Sequence, residues 1–205
     1  MIEDGWQKKQ MTLVGLRHKL VSMLAPKLYS EWQLHYRERP MINFIKENYT
    51  EPLVGVEVGV HQGNNSLRIL KTLNIEKLFL VDPYYDFSEA GLEGTLHCSE
   101  KDYEIALENV RAYLNKVTFI KKPSVEAANS FKNETVDFVY IDAWHKYEAV
   151  KQDIKTWYPK VKKGGVIGGH DFVPFFSGVV YASTEFAKEL GLKLSFKGSD
   201  WWIKL

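Results

Sequence analysis

Five short apolar runs punctuate the chain: Val54 to Val60, Lys77 to Val81, Val117 to Ile120, Val136 to Ile141 and Val166 to Gly169. They are rich in β-branched residues and predict strands covered on both faces, the habit of parallel sheets. Between them the apolar positions change to helical spacing. Leu67, Ile69, Leu70 and Leu73 form one stripe, and Ile105, Ala106, Val110 and Leu114 form another within Tyr103 to Leu114. A third helix is predicted from Ser124, a fourth from Tyr147 to Trp157 ahead of Pro159, and a fifth from Ser183 to Leu190. The chain then closes with strands Lys193–Phe196 and Trp201–Leu205, joined by a hairpin turn over Lys197 to Asp200. Strands alternating with helices predict an α/β fold with a doubly wound, mostly parallel sheet.

Ahead of the first strand the rhythm is wholly helical. Leu13, Leu16, Leu20, Met23 and Leu24 predict an amphipathic helix from Met11 to Leu24, and Pro40 suits the first position of another running to Tyr49. Residues 1–50 are thus expected to be a helical extension serving packing, a lid or a dimer contact, with residues 51–205 as the main domain. A chain of 205 residues that is 45% hydrophobic holds one ordinary domain with such an appendage. Its 27 basic and 26 acidic residues argue against general affinity for nucleic acid or an anionic membrane. The lone cysteine, Cys98, excludes a disulfide framework and a cysteine zinc cluster, and fits a reducing compartment. Arg17, His18 and Lys19 interrupt the segment Met11 to Ala25, which is too short and polar to span a bilayer. With no signal-peptide pattern, the expected location is the cytoplasm.

Polar residues concentrate where the predicted strands end. Glu57 lies in the first strand just before its turn, and Gly59-Val-His61-Gln-Gly63 leads to Asn64, Asn65 and Ser66, three candidate helix N-caps. Asp82 ends the second strand, about 20 residues beyond the glycine turn, where an acid suits a ribose diol. Ser124 starts a helix on the same edge, and Asp142 ends the fourth strand ahead of His145. The fifth strand finishes at His170-Asp171-Phe172. In an open parallel sheet ligands gather beyond these carboxyl ends. Each buried polar group left unpaired costs about 1–3 kcal/mol, so such a rim calls for partners, and a ligand supplies them. Tyr84 to Ser99 reads as a long loop able to cover a pocket.

Taken together, Glu57-Val-Gly59 with Gly63, Asp82, Ile141 to Glu148, Asp153-Ile154 with Trp157-Tyr-Pro159, and Gly164 to Phe172 carry a family resemblance. Over residues 50 to 205 the chain resembles the class I S-adenosylmethionine-dependent methyltransferases, specifically the small O-methyltransferases related to the macrocin and catechol enzymes. The resemblance implies a Rossmann-like seven-stranded sheet with an antiparallel C-terminal strand. It implies S-adenosylmethionine held by Glu57, Gly59, His61, Gly63, Ser66, Asp82, Ser124 and Asp142. His61 departs from the family pattern by replacing the middle glycine of the turn. Two routes to a nucleophile are open. His145 can take the proton of a hydroxyl acceptor, as a basic lysine does in the catechol-type relatives, or Asp142, His170 and Asp171 can hold a divalent metal, magnesium, manganese or another, that acidifies it. Asp142 and His145 are the catalytic candidates on this reading. The acceptor is expected to be a small molecule or glycan, with Phe172, Phe175, Phe176 and Trp144 facing Tyr84 and Tyr85 across its pocket. A homodimer is compatible with the N-terminal helix.

Two other readings share the glycine turn. A nicotinamide-dependent oxidoreductase would also use a distal acid, but Glu57 lies inside the strand and the full Gly-x-Gly-x-x-Gly pattern is lacking. A binding or scaffold protein would keep the fold without the chemistry, against which His145 and the rim aspartates argue.

Overall fold

In the computed structural model, residues 38–85 and 99–205 are described, and Arg39–Leu205 forms one compact unit. The Met11–Leu24 helix, Cys98 and most of the Tyr84–Ser99 loop lie outside the described residues. The expected alternation is present in full. Helix α1 (Pro40–Asn48) is followed by β1 (Leu53–Val58), α2 (Asn64–Thr72), β2 (Ile75–Val81), α3 (Glu100–Asn109), β3 (Val117–Ile120) and α4 (Ser124–Ala128). Then come β4 (Val136–Ile141), α5 (Tyr147–Trp157), β5 (Val161–Gly169), α6 (Ser177–Glu189), β6 (Leu194–Lys197) and β7 (Asp200–Lys204).

The seven strands lie in the order β3-β2-β1-β4-β5-β7-β6. Pairings among β1 to β5 are parallel, and β7 runs antiparallel to both β5 and β6. The chain crosses from one half of the sheet to the other between β1 and β4, the switch point at which such sheets open a crevice. Alternation along the strands divides the core in two. One face buries Leu53, Leu78, Leu80, Phe138 and Trp202 with Met41, Ile42 and Ile45 of α1 and Ile69 and Leu70 of α2. The other buries Val56, Val58, Val139, Ile141 and Ile167 with Ile154 and Trp157 of α5 and Phe186 of α6. Helix α1, read in the sequence as part of the helical prelude, thus packs on the sheet itself. Its first turn is tied to β7, since the Met41 amide donates to Asp200 Oδ2 over 3.0 Å.

Several boundaries moved for local reasons. Helix α3 starts earlier than its apolar stripe because Ser99 and Asp102 form a reciprocal capping box, and it gives way to a 3-10 turn at Arg111–Tyr113. Strand β5 begins at Val161, ahead of the Gly164-Gly165 pair that reads as a connection, with its register against β4 shifting between Val136 and Phe138. Helix α6 begins at Ser177. Pro123, not Ser124, occupies the cap position of α4.

Two glycines set how closely the strand ends meet. A Cβ at Gly59 would lie 2.1 Å from the backbone oxygen of Asp142, and one at Gly169 would lie 1.9 Å from the oxygen of Ile141. The fourth strand's end is therefore clasped from both sides, where only hydrogen fits. Gly169→Ala is expected to destabilise the protein by about 2 kcal/mol or more in chemical denaturation, through overpacking against backbone. Gly191→Ala, with a φ of +64° but open space around it, is expected to lose only about 1 kcal/mol. Equal losses would show that close approach is not what Gly169 provides.

Candidate active site

The crevice is built upward from the β1–α2 turn. Gly59, His61 and Gly63 all have positive φ, at 87°, 48° and 73°. His61 thus adopts the left-handed conformation without being glycine, an uncommon but allowed state. Asp82 stabilises the turn: its Oδ2 accepts from the amides of Val60 and His61 at 2.9 and 3.0 Å, and its Oδ1 from the Tyr84 amide at 3.1 Å. The His61 ring lies 3.5 Å from Asp102 Oδ1, which also accepts from Gln62. That bond from Gln62, with those from Ser99, outweighs burial and lowers Asp102 to about 2. His61 therefore packs its ring toward α3.

The residues after the turn do not cap α2 with their side chains. Gly63 takes the cap position, and a Cβ there would crowd Ala106 of α3 at 3.1 Å. Asn65 and Ser66 instead donate to the fully buried carboxylate of Glu57, Asn65 Nδ2 at 2.9 Å from Oε1 and Ser66 Oγ on Oε2. Burial pushes Glu57 up to about 8, against these two bonds, with the charge of Asp142 adding to the rise and Arg39 opposing it. Ser124 is likewise turned inward. Its hydroxyl accepts from Trp157 Nε1 at 2.9 Å and bonds Asp153, which burial raises to about 6. Only its backbone, at the start of α4, remains for the crevice.

At the carboxyl ends of β4 and β5 the structure brings Asp142, His145, His170 and Asp171 together. Asp171, at φ 63°, accepts from both histidines: His145 Nε2 lies 2.6 Å from Oδ2, and His170 Nδ1 3.1 Å from Oδ1. Burial alone would raise the Asp171 carboxyl, but these bonds hold it well below the usual range. Asp142 moves the other way. Burial raises it, assisted by Asp171 and opposed by His170 and Arg39. The His145 ring is a quarter exposed and tilts against Phe176, with centroids 4.1 Å apart.

Sequence reasoning missed Arg39. It stands just before Pro40 at the start of α1, and its Nη1 lies 3.0 Å from His170 Nε2, its Nη2 3.9 Å from Asp142 Oδ2. Arg39 and His170 are separated by 131 positions, so only the fold could bring them together. The Arg-Pro pair marks a helix start but says nothing about which strand ends that start will meet.

The expected metal ligands are near one another, with one ligand atom from each of Asp142, His170 and Asp171 inside a span of 4.8 Å. As arranged, they do not fit a resident ion. Arginine has only donors, so His170 Nε2 must accept from it, while Nδ1–H is held by Asp171. Both ring nitrogens are thus engaged. The carboxylates favour a charged His170 against burial and Arg39, yet a second ring proton would set N–H against N–H at the Arg39 contact.

The aromatic wall is present on one side only. Phe176 meets His145 at a tilt, Phe175 meets Phe176 edge-on, and Phe172 stacks on Phe196. Tyr84, expected opposite them, is instead buried against Tyr103 and Phe119. A narrow cavity beside them is lined by Asp142, Trp144, His145, His170 and Trp201. Among the described residues, no helix is long and apolar enough to cross a membrane.

A family model described as a methyltransferase domain matches residues 56–172. A protein of Sinorhizobium fredii, y4gI, is 27% identical over 120 residues; the match spans 57% of this chain and only 13% of that protein. Among solved structures, the O-methyltransferase NovP has a TM-score of 0.60 at 16% identity, over 86% of this chain and 79% of its own. A candidate caffeoyl-CoA O-methyltransferase from Staphylococcus aureus also scores 0.60, at 14% identity, over 97% and 99% of the two chains. A candidate methyltransferase from Streptococcus mutans, solved in complex with SAH, scores 0.57 at 15% identity, over 82% and 99%. These likenesses establish the fold, and the domain match establishes the family. The chain belongs to the methyltransferase domain family, on the class I fold of the S-adenosylmethionine-dependent enzymes that its sequence resembles.

Proposed function

We propose that the protein transfers a methyl group from S-adenosylmethionine to a hydroxyl oxygen of a small molecule or glycan, with His145 as the base. The observation that carries this reading is the His145–Asp171 pair at the strand ends beside Asp142. Asp171 holds the proton of Nε2, which leaves Nδ1 as the basic nitrogen, and its depressed pKa keeps it an anion able to stabilise the imidazolium. Phe176 against the ring fixes its plane.

The residues of the crevice fit the cofactor's charge. S-adenosylmethionine supplies an electrophilic methyl group on a cationic sulfur. The charge of Asp142 disfavours an ionised Glu57, and a cation placed between the ends of β1 and β4 opposes that effect. Asn65 Oδ1 is buried without a hydrogen-bond partner among the described residues, an acceptor suited to an ammonium group. Asp82, directly after β2, stands where an acid meets the ribose hydroxyls of such a cofactor. The S. mutans neighbour, solved with SAH, supports the same choice of cofactor. Support for oxygen as the acceptor atom comes from NovP and the S. aureus protein. Phe172, Phe175 and Phe176 offer an apolar wall to the acceptor.

His145→Ala is expected to lower kcat by about 100-fold or more on any hydroxylated acceptor that wild type methylates, the usual contribution of a general base, while S-adenosylmethionine affinity changes little. Transfer of radiolabelled methyl groups measures the first and calorimetry the second. Undiminished turnover in the variant would remove His145 from the reaction.

Glu57 makes the pH dependence specific. An unfolded glutamic acid ionises near 4.5, whereas folded Glu57 keeps its proton to about 8. The folded form therefore binds more protons across that window, so this group's contribution to stability declines as pH rises from about 4.5 to about 8, then levels off. Glu57→Gln should remove this group's share of the decline in unfolding curves of the ligand-free protein, leaving that of Asp153 and Asp200, each raised by burial to about 6. A bound cation lowers the Glu57 pKa, so S-adenosylmethionine binding near neutral pH should release a proton. Calorimetry in buffers of different ionisation enthalpy reads that release, and Glu57→Gln should suppress it. Identical proton release by the variant would place the cation elsewhere.

A further inference from the structure

The three-residue set Asp142, His170 and Asp171 has the chemistry of a divalent-cation site, yet it meets a guanidinium. We infer that Arg39 is a built-in cation in this set, occupying the position a divalent metal would take and keeping the site metal-free. The inference concerns cation occupancy and does not depend on which atom accepts a methyl group.

The geometry is specific on three counts. Nη1 of Arg39 takes His170 Nε2 at 3.0 Å, the nitrogen a metal would need, because Nδ1 already serves Asp171 at 3.1 Å. Nη2 lies 3.9 Å from Asp142 Oδ2, so one planar group meets a nitrogen and an oxygen of the same set. A guanidinium is a permanent cation with donors spread over a rigid plane, and can satisfy two acceptors at once.

Arg39 is also held in place. The next residue is Pro40, which opens α1, and the oxygen of Arg39 itself accepts from the Ile42 and Asn43 amides at 3.0 and 3.3 Å. Met41 is bonded to Asp200, and Asp200 accepts from Tyr140 on its other oxygen at 2.8 Å. Met41, Ile42 and Ile45 then lock the helix into the core. The side chain of Arg39 is only 16% accessible. Burial works against its charge, but Tyr140, Asp142, Asp200 and Asp171 together prevail and raise its pKa. Withdrawing it would remove the permanent cation from beside Asp142 and His170 in a largely buried set of carboxylates, which is unfavourable.

A metal entering this set must displace the guanidinium, while removing the guanidinium should open the site. Manganese is a suitable probe, since it accepts mixed nitrogen and oxygen ligands and its free ion is read directly by electron paramagnetic resonance. Wild type should show no saturable Mn²⁺ binding that depends on Asp142. Arg39→Met, which retains an apolar stem, and Arg39→Gln should each bind one Mn²⁺ at least about tenfold more tightly than wild type, and adding Asp142→Asn should abolish the gain. Circular dichroism identifies which variants are folded. One Mn²⁺ bound by wild type and lost in Asp142→Asn would overturn the inference, as would a folded Arg39 variant that gains none. If neither variant folds, the wild-type and Asp142→Asn titrations decide alone: Asp142-dependent binding overturns the inference and its absence upholds it.

Discussion

Gathering carboxylates where water is scarce is the constraint on which this site depends. Glu57, Asp171 and Asp200 are buried, and Asp142 is largely so, all around the carboxyl ends of β1, β4 and β5 and the start of β7. Desolvation and mutual repulsion disfavour that much negative charge in one place. The protein answers with different devices at each position. Glu57 keeps its proton through burial, against the bonds from Asn65 and Ser66, Asp171 is held between two histidines, and Asp200 binds a helix amide and a phenol. Asp142 is left facing the crevice with Arg39 beside it. This uneven resolution leaves Asp142 at the crevice on the β1 side and sets His145 against Asp171 on the other.

The backbone makes the same point in steric terms. The end of β4 is brought against Gly59 and Gly169 so closely that neither can carry a side chain. Gly59 is expected among the cofactor-holding residues, and the backbone of Asp142 by itself already requires its glycine. The turn's conformation and the position of the acid are therefore coupled, and a change at one is felt at the other.

What could be read from the sequence was whatever depends on local pattern. Alternation of strand and helix, the closing β6–β7 hairpin, and the appearance of Glu57, Asp82, Asp142, His145, His170 and Asp171 at or near strand ends all follow from periodicity and turn chemistry, while the antiparallel place of β7 in the sheet follows from the family resemblance. What could not be read was partner choice. Asn65 and Ser66 look like caps because caps are local, but Glu57 lies one turn beneath them and claims both. Ser124 looks like a cap or a ligand contact, whereas Trp157 and Asp153 of α5 claim its hydroxyl. His61, anomalous in a glycine position, is accommodated by a left-handed backbone and by Asp102. Arg39 is the strongest case, since its role exists only once α1 has docked beside β7.

The most direct measurement is a crystal structure of the protein soaked with S-adenosylmethionine and Mn²⁺, recorded with anomalous scattering. The account predicts cofactor density across the ends of β1 and β4, between Glu57 and Asp142, with the Arg39 guanidinium still against His170 and no anomalous peak there. Cofactor density elsewhere, or a manganese peak among Asp142, His170 and Asp171 with Arg39 swung away, would contradict it.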